Sequence, residues 1–359
     1  MAYTTIDDPG LYFNIVLWSG DGTTPRTISG VGFQPDWVWL KHRSGSGSRD
    51  HYLSDVARGA TKSLNSNTSD AEVTSESNGH TSAFTSDGFT VVNGGNSVGE
   101  VNDSSRTYTG WCWKAGGSAS SNSDGDITSS VSANQTAGFS IVTYTATSTA
   151  TDTVGHGLGA KPGLIIVKER DGTNQWCVAF PDTLNNNQIL QLNLTNQVFA
   201  DSAAFNDTVN TGTTSSVFVT GNGGLTGNNG SDYVAYCAAP IQGYTRMGTY
   251  TGNGNADGPF IYTGFRPKYL LIKISSGSNR NWAVFDAVRS TANALTFNSL
   301  PNKSDVDDSG TNEQFDFCAT GFKVRGSFTT LNESGSTYVF YAIAESPFVN
   351  SKGVPNNAR

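Results

Sequence analysis

Short apolar runs alternate with clusters of turn-forming residues along the whole chain. The runs Phe13–Ser19, 37–41, Phe139–Thr145, 164–168 and 270–273 are rich in Val, Ile, Leu, Phe, Tyr and Trp, and Gly, Pro, Asn, Asp or Ser flank them. Such runs predict strands. Helical periodicity is almost absent, and only 55–64 and 286–295 read as helix-like stretches of a few turns. Strands at short spacing with turn signals between them predict a sandwich or barrel, not a β-solenoid with short rungs.

The pattern repeats. Three stretches place a glycine, then a proline, then an apolar run ending in lysine: Gly32-Phe33-Gln34-Pro35 leads to Lys41, Gly159-Ala160-Lys161-Pro162 to Lys168, and Gly264-Phe265-Arg266-Pro267 to Lys273. Gly and Pro make the turn, and Pro opens a strand where no ladder donor is needed. A second set follows around Tyr108, Tyr233 and Tyr338, at 73, 71 and 71 residues from the respective prolines. Asn174-Gln175-Trp176-Cys177 and Arg280-Asn281-Trp282-Ala283 also match, with His51 or Tyr52 in place of the tryptophan in the first copy. Repeats of this length predict tandem modules. The expected organisation is all-β, with three β-sandwich, jelly-roll-like modules. The first covers 1–116 with a short N-terminal arm. A Gly/Ser-rich linker at 117–137 leads to a second module at 138–240, and a third at 244–348 precedes a tail at 349–359.

Composition supports strands and turns: 41 glycines, 14% charged residues and 39 aromatics among 359 residues. The aromatics supply a core and argue against disorder. The net charge of −8, without a basic cluster, gives no attraction to phosphate backbones, so nucleic acid is not an expected partner. No apolar run is long enough to span a membrane, and the N-terminus lacks a secretory pattern, so synthesis in a cytosol is expected.

Candidate chemistry is sparse. Cys112, Cys177, Cys237 and Cys318 form no CxxC pair and read as buried thiols. His42, His51, His80 and His156 have no ligand spacing and read as surface or turn residues. No nucleophile elbow, phosphate loop or dinucleotide fingerprint occurs. Asp55, Glu169, Asp171, Asp182 and Asp286 are the carboxylates that could pair for glycan hydrolysis. Asp55 and Asp286, however, recur as Asp-x-x-Arg with Arg58 and Arg289, which reads as a structural ion pair or N-cap. The acidic loops 124–126 and 305–313 are the places where calcium could bind. Trp37 and Trp39 lie on one strand face and read as core or module interface. No catalytic, cofactor or metal residue is assigned, and no binding residue can be named. The repeat markers are Pro35, Pro162, Pro267, Tyr108, Tyr233, Tyr338, Asp55, Arg58, Asp286 and Arg289.

Three segments carry a resemblance: Tyr3-Thr4-Thr5-Ile6-Asp7-Asp8-Pro9, Ser54-Asp55-Val56-Ala57-Arg58-Gly59-Ala60-Thr61-Lys62, and Thr107-Tyr108-Thr109-Gly110-Trp111-Cys112-Trp113-Lys114. They resemble a repeat family of tailed-bacteriophage virion proteins, abundant in marine phages and cyanophages and often labelled tail fibre. The resemblance implies a structural protein on the virion surface and supplies no catalytic residues. The expected function is a tail fibre or receptor-binding component that recognises the host surface. A capsid decoration or cement protein is the first alternative, and a polysaccharide depolymerase or glycan-binding module the second. Expected partners are tail adaptor or capsid proteins and a host glycan or protein, with assembly as a homotrimer. The second copy departs from the others at 181–196, where Asp182 lacks the arginine.

Overall fold

The apolar runs 37–41, 164–168 and 270–273 form central strands that are buried on both faces. The computed structural model describes residues 3–45, 47–94, 101–184, 187–206, 212–309 and 314–356. The chain is nearly all β, arranged in several sheets. In β3 (Trp37–Ser44), Trp37 and Trp39 enter one apolar cluster while Val38 and Leu40 enter another. A strand covered on both sides reads as a continuous apolar run, not as an alternation.

Three large sheets share one strand order. The first is β1 (Phe13–Ser19), β9 (Thr107–Trp113), β3 and β4 (Tyr52–Asp55). The second contains β12 (Phe139–Thr145), β19 (Asp232–Ala238), β14 (Leu164–Glu169), β15 (Cys177–Ala179), β16 (Gln188–Gln191) and β17 (Phe199–Ala200). The third is β20 (Thr245–Thr251), β27 (Thr337–Pro347), β22 (Phe265–Ile274), β23 (Ala283–Asp286) and β24 (Asn298–Ser299). In each, the opening strand pairs with the closing strand, which pairs with the strand beside the repeat proline. The registers match: Ile15 faces Trp111, Ile141 faces Tyr236 and Met247 faces Tyr341.

A small sheet covers the outer face of each large one. These are β2 (Arg26–Ser29), β8 (Gly88–Asn93) and β7 (Gly79–Thr85); β13 (Thr153–Gly155) with β18 (Val217–Val219); and β21 (Phe260–Tyr262), β26 (Gly321–Val324) and β25 (Phe315–Cys318). A short hairpin, β5 (Lys62–Ser63) with β6 (Val73–Thr74), completes the first region.

The inner faces of the three large sheets meet around a common centre. Trp37, Leu164 and Tyr269 each stand two residues after a repeat proline. Together with Trp39, Ile166 and Leu271 they line one buried void of about 10 Å³. Trp37 stacks on Tyr236 at 4.2 Å and on Phe139 at 5.6 Å between centroids, so rings from two sheets interlock. Burying large rings of this kind is worth about 3 kcal/mol each at the upper end.

Two local expectations are corrected. The segment 117–137, read as a linker, carries β10 (Ser120–Asn122) and β11 (Ser129–Asn134), and these extend the second sheet beyond β12. Ladder hydrogen bonds need only backbone, so Ser-rich composition does not oppose a strand that has a partner. The stretches 55–64 and 286–295 are not helices. Among the described residues the helical elements are a 3₁₀ turn at Pro9–Leu11 and one α turn, α1 (Thr329–Asn332). Asp55 and Asp286 accept the N–H of Arg58 and Arg289 at 2.8 Å, which makes one helix-like turn before the chain departs.

Candidate functional site

The repeat markers have local structural causes. Gly32, Gly159 and Gly264 stand three residues before each proline with φ of +85°, +69° and +84°, a region open to glycine and strained for other residues. Pro35, Pro162 and Pro267 are buried at the entry to the central strands. The Tyr108, Tyr233 and Tyr338 hydroxyls accept the N–H of Asp103, Asn228 and Glu333 at 2.8, 2.9 and 2.7 Å. Each acceptor lies five residues after its donor, so the ring pins the polar turn that precedes its own strand. The rings stack on Trp18, Tyr144 and Tyr250 of the opening strands.

The sheets are joined in a closed ring by equivalent contacts. Trp176 Nε1 donates to Asn65 O at 2.9 Å, linking the second sheet to the first region. Trp282 Nε1 donates to Gln191 O at 2.9 Å, linking the third to the second. His51 occupies the same place in the first region and bonds Leu300 O at 3.0 Å, which closes the ring. Trp39 Nε1 donates to His51 Nδ1 at 2.8 Å, so the proton sits on Nε2. Burial, with Lys41 nearby, holds this imidazole well below its ordinary pKa and keeps it neutral. A backbone bond repeats at each joint: Glu72, Val198 and Asp307 donate to Arg170, Ser275 and Arg43 respectively.

Two joints carry buried charge. At the first–second joint, Arg58 Nε meets Asp55 at 2.5 Å and Nη1 meets Glu72 at 3.1 Å. Tyr236 of the second sheet donates to Asp55 at 2.8 Å, and Arg170 grips Glu72 through two bonds of 3.0 Å. At the third–first joint, Arg289 meets Asp286 at 2.5 Å and Asp307 at 2.8 Å. Trp111 of the first sheet donates to Asp286 at 3.0 Å, and Arg43 reaches Asp307 at 2.8 Å. Burial pushes the Asp286 carboxyl up, but Arg289 and its hydrogen bonds outweigh that and hold it below the usual range. Against the same penalty of burial, Arg170, Arg58 and Lys62 hold Glu72 down to about 2.

Among the described residues the second–third joint has none of these groups. Val198 and Ser275 stand where the others have a carboxylate and an arginine. Asp182 points to solvent, 64% exposed, against Lys161.

The three lysines that end the repeat runs are buried. Lys41 Nζ donates to Ser304 O across the closing joint, Lys273 Nζ to Thr195 O across the second–third joint, and Lys168 Nζ to Gly172 O within its own sheet. Burial lowers Lys273 to about 7 and Lys168 to about 8.

The carboxylates considered for hydrolysis are dispersed. Asp55 and Asp286 sit in different joints, Glu169 bonds Asn174 at 2.6 Å, and Asp171 accepts from the Asp232 N–H. Among the described residues, no three His, Cys, Asp or Glu side chains group as metal ligands. Asp126 is engaged with Thr153 and Asp124 with Asn122, while residues 310–313 of the second acidic loop lie outside the described residues. His42, His51 and His156 are buried, which corrects their reading as surface or turn residues. Cys112, Cys177 and Cys237 are buried free thiols whose pKa is pushed up by burial, and Cys318 is half-buried. Sequence reasoning missed Glu72, Arg43 and Arg170, and took Asp307 only as part of the acidic loop 305–313, whereas it pairs with Arg43 and Arg289. Arg43 and Arg170 each lie two residues after a repeat lysine, which was the one available signal.

Shallow depressions mark the surface. One, of about 450 Å³, runs along the start of β20 and is lined by Tyr3, 240–243, Arg246, Met247 and Tyr262. Another, of about 630 Å³, holds Asp257 and Asp316, with Arg325 bonded to both. No helix among the described residues is long and apolar enough to cross a membrane.

Fold and joints together define a class: an all-β chain whose three like-ordered sheets close into a ring. The chain belongs to the family described as Domain of unknown function (DUF7483), which matches residues 8–347 and so runs through all three sheets. No curated protein and no solved structure matches it.

Proposed function

We propose that this chain is a non-enzymatic structural protein of a bacteriophage virion surface, built from three tandem β-sandwich modules and acting as a tail-fibre or receptor-binding component. The modules comprise a large sheet with its small covering sheet at 1–116, 138–240 and 244–348. One observation carries the reading: the Asp–Arg pairs and the tryptophans that recur between copies lie in joints between sheets, and the recurring tyrosines pin turns within each sheet. A chain whose repeated polar residues hold its own sheets and turns together is organised as a rigid block. The resemblance of the repeats to phage virion proteins supplies the setting.

The expected homotrimer takes a different form in this reading. Fibre proteins bring three chains around one axis, whereas here three sheets of one chain surround a common core. We therefore favour one chain per attachment point. A native mass near 37.9 kDa supports this, and a mass three times larger restores the homotrimer. The same triangular block also favours a second reading, capsid decoration, because a three-sided body suits a threefold lattice position.

Cryo-electron microscopy of purified particles tests both. Density for this block at the tail supports the first reading, and density at regular capsid positions supports the second. Its absence from the particle overturns both.

A further inference from the structure

The three large sheets have equivalent opening strands, and the outer edges of those strands meet three different fates. In the second sheet the edge of β12 is covered in cis by β11, antiparallel, with Val131 opposite Val142 and Ser132 opposite Ile141. In the first sheet the edge is plugged: the Ile15 N–H, at the position of Ile141, donates to Asn14 Oδ1 at 2.9 Å. Lys268 Nζ in turn holds that side chain at 2.6 Å. In the third sheet, β20 is a terminal strand with neither device.

The direction of the β20 backbone groups follows from its ends. Thr245 exchanges bonds with Ile241 on the outer side, so N–H and C=O point outward at Thr245 and, by alternation, at Met247 and Thr249. Gly252 donates inward to Ser336, as that alternation requires. Among the described residues nothing accepts from the N–H of Met247 or Thr249. The depression of about 450 Å³ reaches this edge at Thr245, Arg246 and Met247, and Tyr262, 51% exposed, forms its wall. Phe260, on the same face of β21, is 49% exposed. Exposed strand edges are templates for another strand, and native proteins ordinarily cover or block them. Here the first two sheets do so and the third does not.

We infer that the edge of β20 is a docking site for an extended segment of a partner polypeptide, added antiparallel as a further strand in the place that β11 holds on β12. The chemistry of the occupant is read from that internal precedent. It is a short, uncharged strand of small hydroxyl and amide residues around one β-branched apolar residue, as in Ser129–Asn134. Backbone bonds to Met247 and Thr249 give the affinity, and the aromatic wall at Tyr262 gives an apolar contact for one side of the incoming strand. The inference concerns an edge and its ligand, so it stands whether the protein sits on tail or capsid.

The probe is a synthetic peptide with the uncharged sequence of residues 127–137, titrated into the full chain and read by fluorescence polarisation and amide hydrogen exchange. Binding is expected, with exchange at Met247 and Thr249 slowed at least tenfold and exchange at Ile15 unchanged. T249P removes an outward donor while leaving the β20–β27 ladder intact, since Pro is tolerated on edge strands. It should weaken binding at least tenfold. T249K, which preserves the backbone and adds an edge charge, should weaken it as well should the proline variant fail to fold. Saturating peptide without protection of Met247 and Thr249 overturns the inference, as does protection of the β1 edge instead. A chain that dimerises with those amides protected before any peptide is added also overturns it, because the occupant is then a second copy.

Discussion

The joint that closes the ring and the joint between the second and third sheets have the same geometry but different chemistry. Both use an equivalent aromatic or imidazole N–H on a carbonyl and an equivalent backbone bond. The closing joint adds two buried arginine–carboxylate contacts, an indole donor and Arg43 on Asp307. Among the described residues the second–third joint adds no ion pair. Chain connectivity also differs between these two joints. The second and third sheets are consecutive, with only residues 239–244 between β19 and β20, whereas no backbone link joins the third sheet to the first. Bringing distant segments together costs loop-closure entropy that the closing joint must offset through contacts. The first–second joint, bridged by the longer segment that holds β10 and β11, also carries buried charge.

The comparison is broken most severely at Arg289. R289A leaves Asp286 buried without its cation and Asp307 held by Arg43 alone, and is expected to cost about 3–5 kcal/mol in urea unfolding. R58A is expected to cost a similar amount at the first–second joint, where Asp55 loses its cation while Glu72 keeps Arg170 and Lys62.

A smaller and more even effect is expected from the tyrosine markers. Y108F, Y233F and Y338F each orphan one turn N–H, at about 1–3 kcal/mol each by thermal denaturation. Their costs should be alike in all three sheets, because this contact does not differ between joints.

Lys273 gives the second–third joint its own pH dependence. The folded ammonium, lowered to about 7 by burial, loses its proton long before the unfolded chain does near 10.5. Between these values the unfolded state binds more protons, so stability should rise with pH, by at most about 1.4 kcal/mol per unit. The penalty is in full force below pH 7. Urea midpoints at pH 7 and 9.5 measure the slope, and K273M should reduce it to the part that Lys168, lowered to about 8, contributes.

The least effect is expected at Asp182. D182N removes an exposed ion pair while keeping a residue suited to the positive φ of +65° there, and should change stability by at most about 0.5 kcal/mol in the same unfolding measurement. A loss as large as that of R289A would show that the three joints are energetically alike after all.

Much of the strand content was legible because apolar runs and turn residues act locally. The repeats were legible because a proline, a lysine and a tyrosine recur for backbone reasons that hold in every copy. The segment 117–137 was not legible, since its strands exist only through β12. The stretches 55–64 and 286–295 misled because an Asp accepting the N–H three residues on begins a helix and a turn alike. His51 could be placed beside Trp176 and Trp282 by position, but its role as the imidazole that closes the ring needed Leu300, which is 249 residues away.

By itself, the sequence determined that this protein is built of strands, where its turns fall and which residues recur, because those follow from local backbone preference and apolar content. Tertiary structure alone decided that the inner faces of three sheets share one core, that Asp55 and Asp286 face partners on neighbouring sheets, and that one equivalent edge is covered, one plugged and one open. Those outcomes rest on contacts between residues far apart in the chain, where the deciding quantities are burial and the partner across the joint, and neither is written in any local run of residues.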